Sequence, residues 1–136
     1  MNNIKGSLAH GSYHLTMKDK TIISKSFGSW NDVTIKNFIK EYKDMAISLT
    51  DQPWAGVVDV TEWQLATHDA EVLAKEFEIW CSDHNRMFVA IVGSSPMIKF
   101  QLTRSGLSNQ SDKMNVSHFS TTTQAYNWLK ECDMLH

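Results

Sequence analysis

The sequence predicts one α/β domain whose mixed, mostly parallel sheet is covered by helices, with the element order β-β-α-β-α-β-α-β-α. Three patterns support this prediction. Near the amino terminus, a segment of alternating apolar and polar side chains and a segment rich in β-branched residues predict a hairpin. Farther along, apolar residues recur at helical spacing, as in the series from Ile35 to Leu49. Between these helical segments lie short, almost wholly apolar runs, which are typical of strands covered on both faces.

The individual elements follow from these patterns and from their boundary signals. The predicted strands span residues 12–17, 21–27, 55–60, 87–92 and 116–119. The predicted helices span residues 32–50, 68–84, 97–106 and 122–133. Thr121 with Gln124 predicts a capping box for the last helix, and the polar residues 61–67 are a predicted loop. Residues 1–11 are polar with two glycines, so we expect a loose lead-in to a single domain over residues 12–136.

The composition of the chain argues against several classes of protein. Its 136 residues are enough to bury a core without disulfides or metal. The net charge of -2 comes without a basic stripe, so we expect no nucleic-acid partner. No apolar run approaches the ~20 residues of a membrane span. The two cysteines, Cys81 and Cys132, fall on apolar helix stripes and give no disulfide framework, which predicts a cytoplasmic protein.

The sequence carries no recognisable catalytic constellation. It has neither a nucleophile elbow nor a glycine-rich phosphate loop. Asp59, Glu62, His68 and Asp69 have the chemistry of acid, base or metal groups, but one histidine with scattered acids lacks a defined ligand spacing. We therefore predict a non-catalytic protein without a metal or other cofactor.

A binding site is expected at the carboxyl ends of the strands, where open α/β sheets bind their ligands. The candidate residues in these segments are Trp30, Asp59, Thr61, Glu62, Trp63, Thr67, His68, Asp69, Ser94 and Ser95. Trp30 and Trp63 are either interaction residues or caps of the core edge. Ser94 and Ser95, which follow Gly93, either present backbone N–H groups to an anion or form a plain turn.

The element order over about residues 12–133 resembles the STAS domain of anti-sigma-factor antagonists and its broader SpoIIAA-like relatives. In STAS domains, a strand ending near an acidic or polar residue is followed by a loop and then by D-S-S-G, where a partner kinase phosphorylates a serine. Here the strand ends at Asp59 and the helix start reads Thr67-His68-Asp69-Ala70, without that serine or glycine. Asp69 either supplies a fixed negative charge there or is an ordinary first-turn acid. The resemblance thus implies the looser SpoIIAA-like group rather than a kinase-switched antagonist.

Two functions are compatible with this interpretation. The first is a bacterial regulatory or protein-interaction module that binds a protein partner or a second copy of itself. Its surface would be the loop over residues 61–67 and the exposed face of the helix over residues 68–84. That face is predicted to carry Glu71, Lys75, Glu76 and Glu78. The second, implied by the kinship of SpoIIAA-like proteins to lipid-carrier folds, is a carrier or sensor. It would bind a small apolar or lipid-like ligand between helices and sheet near Trp30 and Trp63.

Overall fold

The computed structural model describes residues 3–8, 11–93, 95–107 and 114–136. Within them, six strands form one sheet and four helices cover it. The strands are β1 (Asn3–Leu8), β2 (Gly11–Lys18), β3 (Thr21–Trp30), β4 (Trp54–Ala66), β5 (Arg86–Val92) and β6 (Asn115–Phe119). The helices are α1 (Asp32–Ala46), α2 (His68–Asp83), α3 (Pro96–Arg104) and α4 (Thr122–Glu131).

The strands lie in the sheet in the same order as in the chain. The pairs β1–β2 and β2–β3 are antiparallel, whereas β3–β4, β4–β5 and β5–β6 are parallel. Parallel neighbours require a crossover connection, which α1, α2 and α3 supply in turn. From β2 onward, the order β-β-α-β-α-β-α-β-α and the mixed, mostly parallel sheet are confirmed.

Strand β1 shows that the loose lead-in expected for residues 1–11 is wrong over Asn3–Leu8. Asn3–Leu8 pairs with β2, from Asn3 opposite Thr16 to Leu8 opposite Gly11. The polar composition of this segment does not prevent pairing, because an edge strand is held by backbone hydrogen bonds to a single neighbour and tolerates polar side chains. The antiparallel part of the sheet is therefore one strand wider than predicted.

The two faces of the sheet carry different layers. Alternate side chains of β5 point to opposite faces, so that Val89 and Ile91 pack with α3 while Ala90 and Val92 pack with α4. Helix α1 covers the neighbouring part of the α3 face, over β2 and β3, and α2 lies against α1, α3 and β5. Among the described elements, one face thus has three helices and the other has α4 alone, and the large buried aromatic residues are concentrated on the three-helix face.

Strand β4 is longer than the predicted strand over residues 55–60, and the predicted loop over residues 61–67 is wrong up to Ala66. The extension pairs with the end of β3, where Gly28 lies opposite Trp63 and Trp30 opposite Ala66, across two register shifts. Its polar residues resemble a loop because much of this part of the strand is exposed. Helix α1 in turn ends at Ala46, earlier than predicted, and the chain turns before Pro53. The capping box of Thr121 and Gln124 is confirmed.

Candidate functional site

An interior cavity of about 70 Å³ lies between the sheet and the layer of α1, α2 and α3. It exists where small side chains face one another. Ser24 and Ser26 of β3 stand on the sheet side, and Ala70 and Ala74 of α2 stand on the helix side. The rest of the lining consists of Trp30, Ile35, Phe38, Tyr42, Val58, Val60, Trp63, Ala66, Glu71, Phe77, Glu78, Arg86, Leu102, Ser105 and Leu107. The boundary is therefore mainly apolar, with a few polar groups.

Aromatic rings form the rigid part of this lining. Trp30 lies 5.0 Å from Phe38, and Tyr42 lies 4.9 Å from Phe77, measured between ring centroids. Trp30 also meets Trp63 edge to face at 6.2 Å. Such tilted and edge-to-face contacts are the favourable arrangement of aromatic pairs. Because each ring is held by another ring, the space between them is not closed by a simple rotamer change.

The polar end of the cavity is built on Arg86, the first residue of β5, which is only 1% exposed. Its Nη2 pairs with the carboxylate of Glu78 on α2, and its Nη1 donates to the Tyr42 hydroxyl oxygen at 3.2 Å. Gly56 leaves room for this arrangement, since a Cβ there would lie 3.0 Å from the Tyr42 oxygen. Burial raises the pKa of Tyr42 to about 12, against a lowering effect of the Arg86 charge.

Two donors in the lining have no hydrogen-bond partner among the described residues. They are Nε of Arg86 and Nε1 of Trp63, both buried as atoms. A buried N–H group without an acceptor loses its hydration without compensation, which is why most such groups in folded proteins are paired. Each of the two atoms is enclosed by surrounding protein atoms and is not open to the cavity.

A second, open space lies outside the carboxyl ends of β4 and β5, beside the start of α3. This crevice has a volume of about 610 Å³. It is lined by Val60, Thr61, Trp63, Gln64, Leu65, Gly93, Ser95, Met97, Ile98 and Ser120. Val60 and Trp63 belong to the linings of both spaces, so the cavity and the crevice are neighbours.

Hydrogen bonds of the Gln101 side chain, together with the Arg104–Glu71 ion pair, hold α3 against β4 and α2; we call this set of contacts the latch. The Gln101 side-chain amide accepts from the backbone N–H of Ala66 and donates to its carbonyl, both at 2.8 Å. The same amide donates to Glu71 at 2.8 Å, and Arg104 lies 3.2 Å from that carboxylate. Because Leu102 and Leu107 line the cavity, the latch holds its α3 side in place.

The structure brings some of the sequence-predicted site residues together. Trp30 and Trp63 both line the cavity. Trp63, Thr61 and Ser95 line the crevice, and Ser95 also caps α3 by accepting from the N–H of Ile98. Ser94 lies outside the described residues.

The other predicted site residues belong to neither lining. Asp59 is buried and accepts from the backbone N–H and the hydroxyl of Thr61, which is a local contact within β4. Glu62 pairs with Lys25 at the surface, at 3.1 Å. Thr67 caps α2 by accepting from the N–H of Ala70, and His68 and Asp69 stand exposed in its first turn. Their positions fit helix-start roles.

The predicted exposed face of α2 requires correction. Lys75 and Glu76 are exposed, but Glu71 and Glu78 are buried at 8% and 9% exposure. Both carboxylates are compensated by arginines that follow α2 in the chain, Arg86 for Glu78 and Arg104 for Glu71. Sequence reasoning also missed Arg86. The available signal was an arginine directly before the most apolar run of the chain.

The described residues contain no group of three or more histidine, cysteine, aspartate and glutamate side chains that could hold a metal ion. Burial raises the pKa of the Cys81 and Cys132 thiols, so both favour the protonated form over the nucleophilic thiolate. Among the helices of the described chain, none combines the length and apolar character needed to cross a bilayer.

Comparison with known proteins identifies the fold. No protein-family model and no curated protein matches the chain. Among solved structures, it is similar to the crystal structure of an uncharacterised protein from the DUF3478 family with a SpoIIAA-like fold, from Shewanella loihica. The match has a TM-score of 0.69 and covers 95% of this chain and 98% of that chain, at 15% sequence identity. The STAS/SpoIIAA-like fold predicted from the sequence is confirmed, and a likeness at this identity concerns the fold alone.

Proposed function

We propose that this chain is a non-catalytic binding protein that holds a small, mainly apolar molecule in the interior cavity. The observation that carries the proposal is the cavity of about 70 Å³ under α1, α2 and α3. Protein interiors are normally close-packed, and atoms that line a void lack dispersion contacts on one side. A guest that fills the space restores those contacts, and the apolar lining selects for an apolar guest.

The charged groups of the lining support binding rather than turnover. Glu78 is paired with Arg86, and Glu71 is held by Arg104 and Gln101. A general base must be able to take a proton from a bound substrate, whereas these carboxylates already accept from cationic or amide donors. We therefore expect the bound molecule to leave unchanged.

The first test is a comparison of masses for protein purified from its own host. We expect the native mass to exceed a whole number of denatured chains by the mass of a retained small molecule. In a separate measurement, n-pentane should raise the unfolding midpoint of protein stripped of that molecule, because a ligand that binds only the folded state stabilises it. A native mass of bare chains together with no stabilisation by n-pentane refutes the proposal.

A matched pair of variants on α2 locates the site. Ala74 lines the cavity, so Ala74→Leu should fill part of it and abolish both the retained mass and the n-pentane effect. Lys75 is the next residue, exposed and outside the lining, so Lys75→Leu should preserve both. Equal retention by Ala74→Leu and wild-type protein would place the ligand elsewhere and contradict the proposed site.

A second candidate function, protein interaction or homodimer formation, is supported by apolar side chains that stand exposed at the crevice. Met97 is 65% exposed and Leu65 41%, and both line the crevice, while Phe100 on the same helix is 64% exposed. Exposed apolar groups clustered at a concave surface are typical of interaction sites.

We expect the double variant Met97→Asp, Phe100→Asp to lose a dimer or a co-purifying partner in native mass spectra. Val33→Asp, at an exposed apolar residue of α1, is the control. Unchanged complexes in the double variant would exclude this surface.

A further inference from the structure

A groove of about 400 Å³ runs between α1 and α2 on the outer side of the three-helix layer. It is lined by three apolar side chains, three lysines of α1 and one glutamate of α2, namely Ile39, Leu73, Phe77, Lys36, Lys40, Lys43 and Glu76. The apolar side chains are buried or half-buried, whereas Lys40 and Glu76 are exposed. The groove therefore has an apolar floor and charged walls, and it shares no lining residue with the crevice.

The central charges of the two walls have no partner within the described chain. Neither Lys40 nor Glu76 forms a hydrogen bond or an ion pair with another described residue. The two helices run in the same direction, because both connect parallel strands. The Lys43 ammonium lies 5.1 Å from the centre of the Trp80 ring, which fixes the register of α1 against α2. One helical turn earlier, Lys40 and Glu76 are level with each other across the groove.

The outer ridge of α2 complements the lysine wall. Five exposed residues follow one another along α2 at alternating spacings of three and four, namely Asp69, Val72, Glu76, Ile79 and Asp83. Residues at these spacings lie on one side of a helix. Val72 and Ile79 are 47% and 57% exposed, so the ridge is both acidic and apolar. One chain thus carries a basic wall and, beside it, a ridge of the opposite charge.

A two-fold axis directed along the groove brings these complementary surfaces together. Rotation about this axis exchanges the two sides of the groove without shifting positions along it, so α1 of each copy faces α2 of the other. Lys40 then lies opposite the partner's Glu76, and the contact occurs twice. An anionic membrane is a poorer occupant, because the acidic ridge beside the lysines repels its headgroups.

We propose that a second copy of this chain occupies the groove, in a symmetric dimer in which Lys40 of each protomer pairs with Glu76 of the other. Helices of 15 and 16 residues are about 23 Å long. A face two helices wide then buries roughly 900 Å² in total, at the lower end of specific interfaces. The dimer is therefore weak, with a dissociation constant in the micromolar range.

Charge reversal in the full chain tests this pairing. Lys40→Glu places like charges at both symmetric contacts, so it should raise the dimer dissociation constant by at least about tenfold, and so should Glu76→Lys. The double variant Lys40→Glu, Glu76→Lys should restore the wild-type constant. An equimolar mixture of the two single variants should restore it too, because opposite charges meet at both contacts of the mixed dimer. Sedimentation velocity at about 1 to about 500 µM protein covers the expected range.

Matched controls lie on α4, on the other face of the sheet. Lys130 and Glu131 are exposed there, and Lys130→Glu and Glu131→Lys change the net charge by the same amounts as the two groove variants. We expect both to leave the dissociation constant unchanged. An effect equal to that of the groove variants would attribute the change to net charge and contradict the proposed pairing. All four side chains are exposed, so the variants should fold, which circular dichroism checks.

The remaining outcomes are equally decisive. Wild-type protein that stays monomeric over the whole range overturns the dimer, and a dimer that both groove variants retain excludes the groove as its interface. Failure of the mixture to restore dimers refutes the pairing of Lys40 with Glu76. Loss of the dimer in Met97→Asp, Phe100→Asp but not in Lys40→Glu places the second copy at the crevice. Monomeric protein whose co-purifying protein, or whose binding to phosphatidylglycerol vesicles, is lost in Lys40→Glu assigns the groove to another occupant. Small-molecule binding in the cavity is measured separately and does not depend on these results.

Discussion

The buried pair of Arg86 and Glu78 allows a sharp prediction about stability. Glu78→Gln keeps the shape of the side chain but removes the charge that compensates Arg86, whose guanidinium is 1% exposed. Breaking a buried ion pair by removing one partner costs about 3–5 kcal/mol, because the remaining charge stays desolvated without compensation. We therefore expect Glu78→Gln to lower the free energy of unfolding by about 3 kcal/mol or more.

The same chain supplies a matched control on the surface. Lys25 and Glu62 form an ion pair at 3.1 Å in which the side chains are 39% and 59% exposed. Solvent screens such a pair, so Glu62→Gln should change the free energy of unfolding by less than about 1 kcal/mol. Urea unfolding followed by tryptophan fluorescence measures both variants at pH 7, with the slope against urea checked for constancy.

The double variant Arg86→Met, Glu78→Leu completes the comparison. Replacing a buried ion pair by apolar residues of similar volume is often neutral or stabilising, so the double variant should be more stable than Glu78→Gln. If Glu78→Gln costs no more than Glu62→Gln, then the guanidinium of Arg86 is hydrated in solution and the reasoning about its burial fails. A double variant that is less stable than Glu78→Gln would contradict the same reasoning.

Three further predictions concern other contacts. Burial raises the pKa of Tyr42 from 10.0 to about 12. The stability that the neutral Tyr42 side chain contributes is therefore complete below about pH 10. It decreases as the pH rises toward about 12, by up to about 1.4 kcal/mol per pH unit. Tyr42→Phe should remove that part of the pH dependence, as measured by urea unfolding at about pH 9 and about pH 11. The same pH dependence in wild type and variant would disprove this account. Gly11→Ala should lower the thermal unfolding midpoint of the protein more than Gly28→Ala does. Both glycines have positive φ, but only at Gly11 would a Cβ lie 2.5 Å from Trp30. Equal midpoints in the two variants would refute this steric account. Gln101→Leu should increase the hydrogen exchange of the Ala66 backbone N–H by at least about tenfold, since its acceptor is lost, and unchanged protection there would show that the latch does not operate in solution.

Local patterns were sufficient to predict most elements of the fold. The helical stripe from Ile35 and the apolar run before Gly93 needed only the periodicity of helices and strands, which is a property of backbone geometry. The capping box at Thr121 was likewise predictable, because its groups are three residues apart. Strand β1 was missed, since an edge strand needs no apolar signature, and the extension of β4 was missed because its exposed residues resemble a loop.

The candidate site was predictable only in part. Trp30 and Trp63 were chosen as candidate binding residues because they are aromatic and lie near strand ends, where α/β sheets bind ligands. Both line the cavity. Glu78 was assigned to the surface, because a glutamate on a helix is normally exposed. Nothing within α2 indicates that the guanidinium of Arg86 from β5 lies against it, so the burial of Glu78 could not be derived from local spacing.

The sequence by itself determined the fold class, the order of the elements from β2 onward and the absence of a recognisable catalytic motif. Only the tertiary structure decided where space remains and which charges meet. Periodicity acts within a few residues of the chain, whereas the cavity depends on side-chain volumes from several elements that are distant in sequence. The polar end of the cavity has the same origin, because Tyr42, Glu78 and Arg86 come together only when α1, α2 and β5 pack on one another.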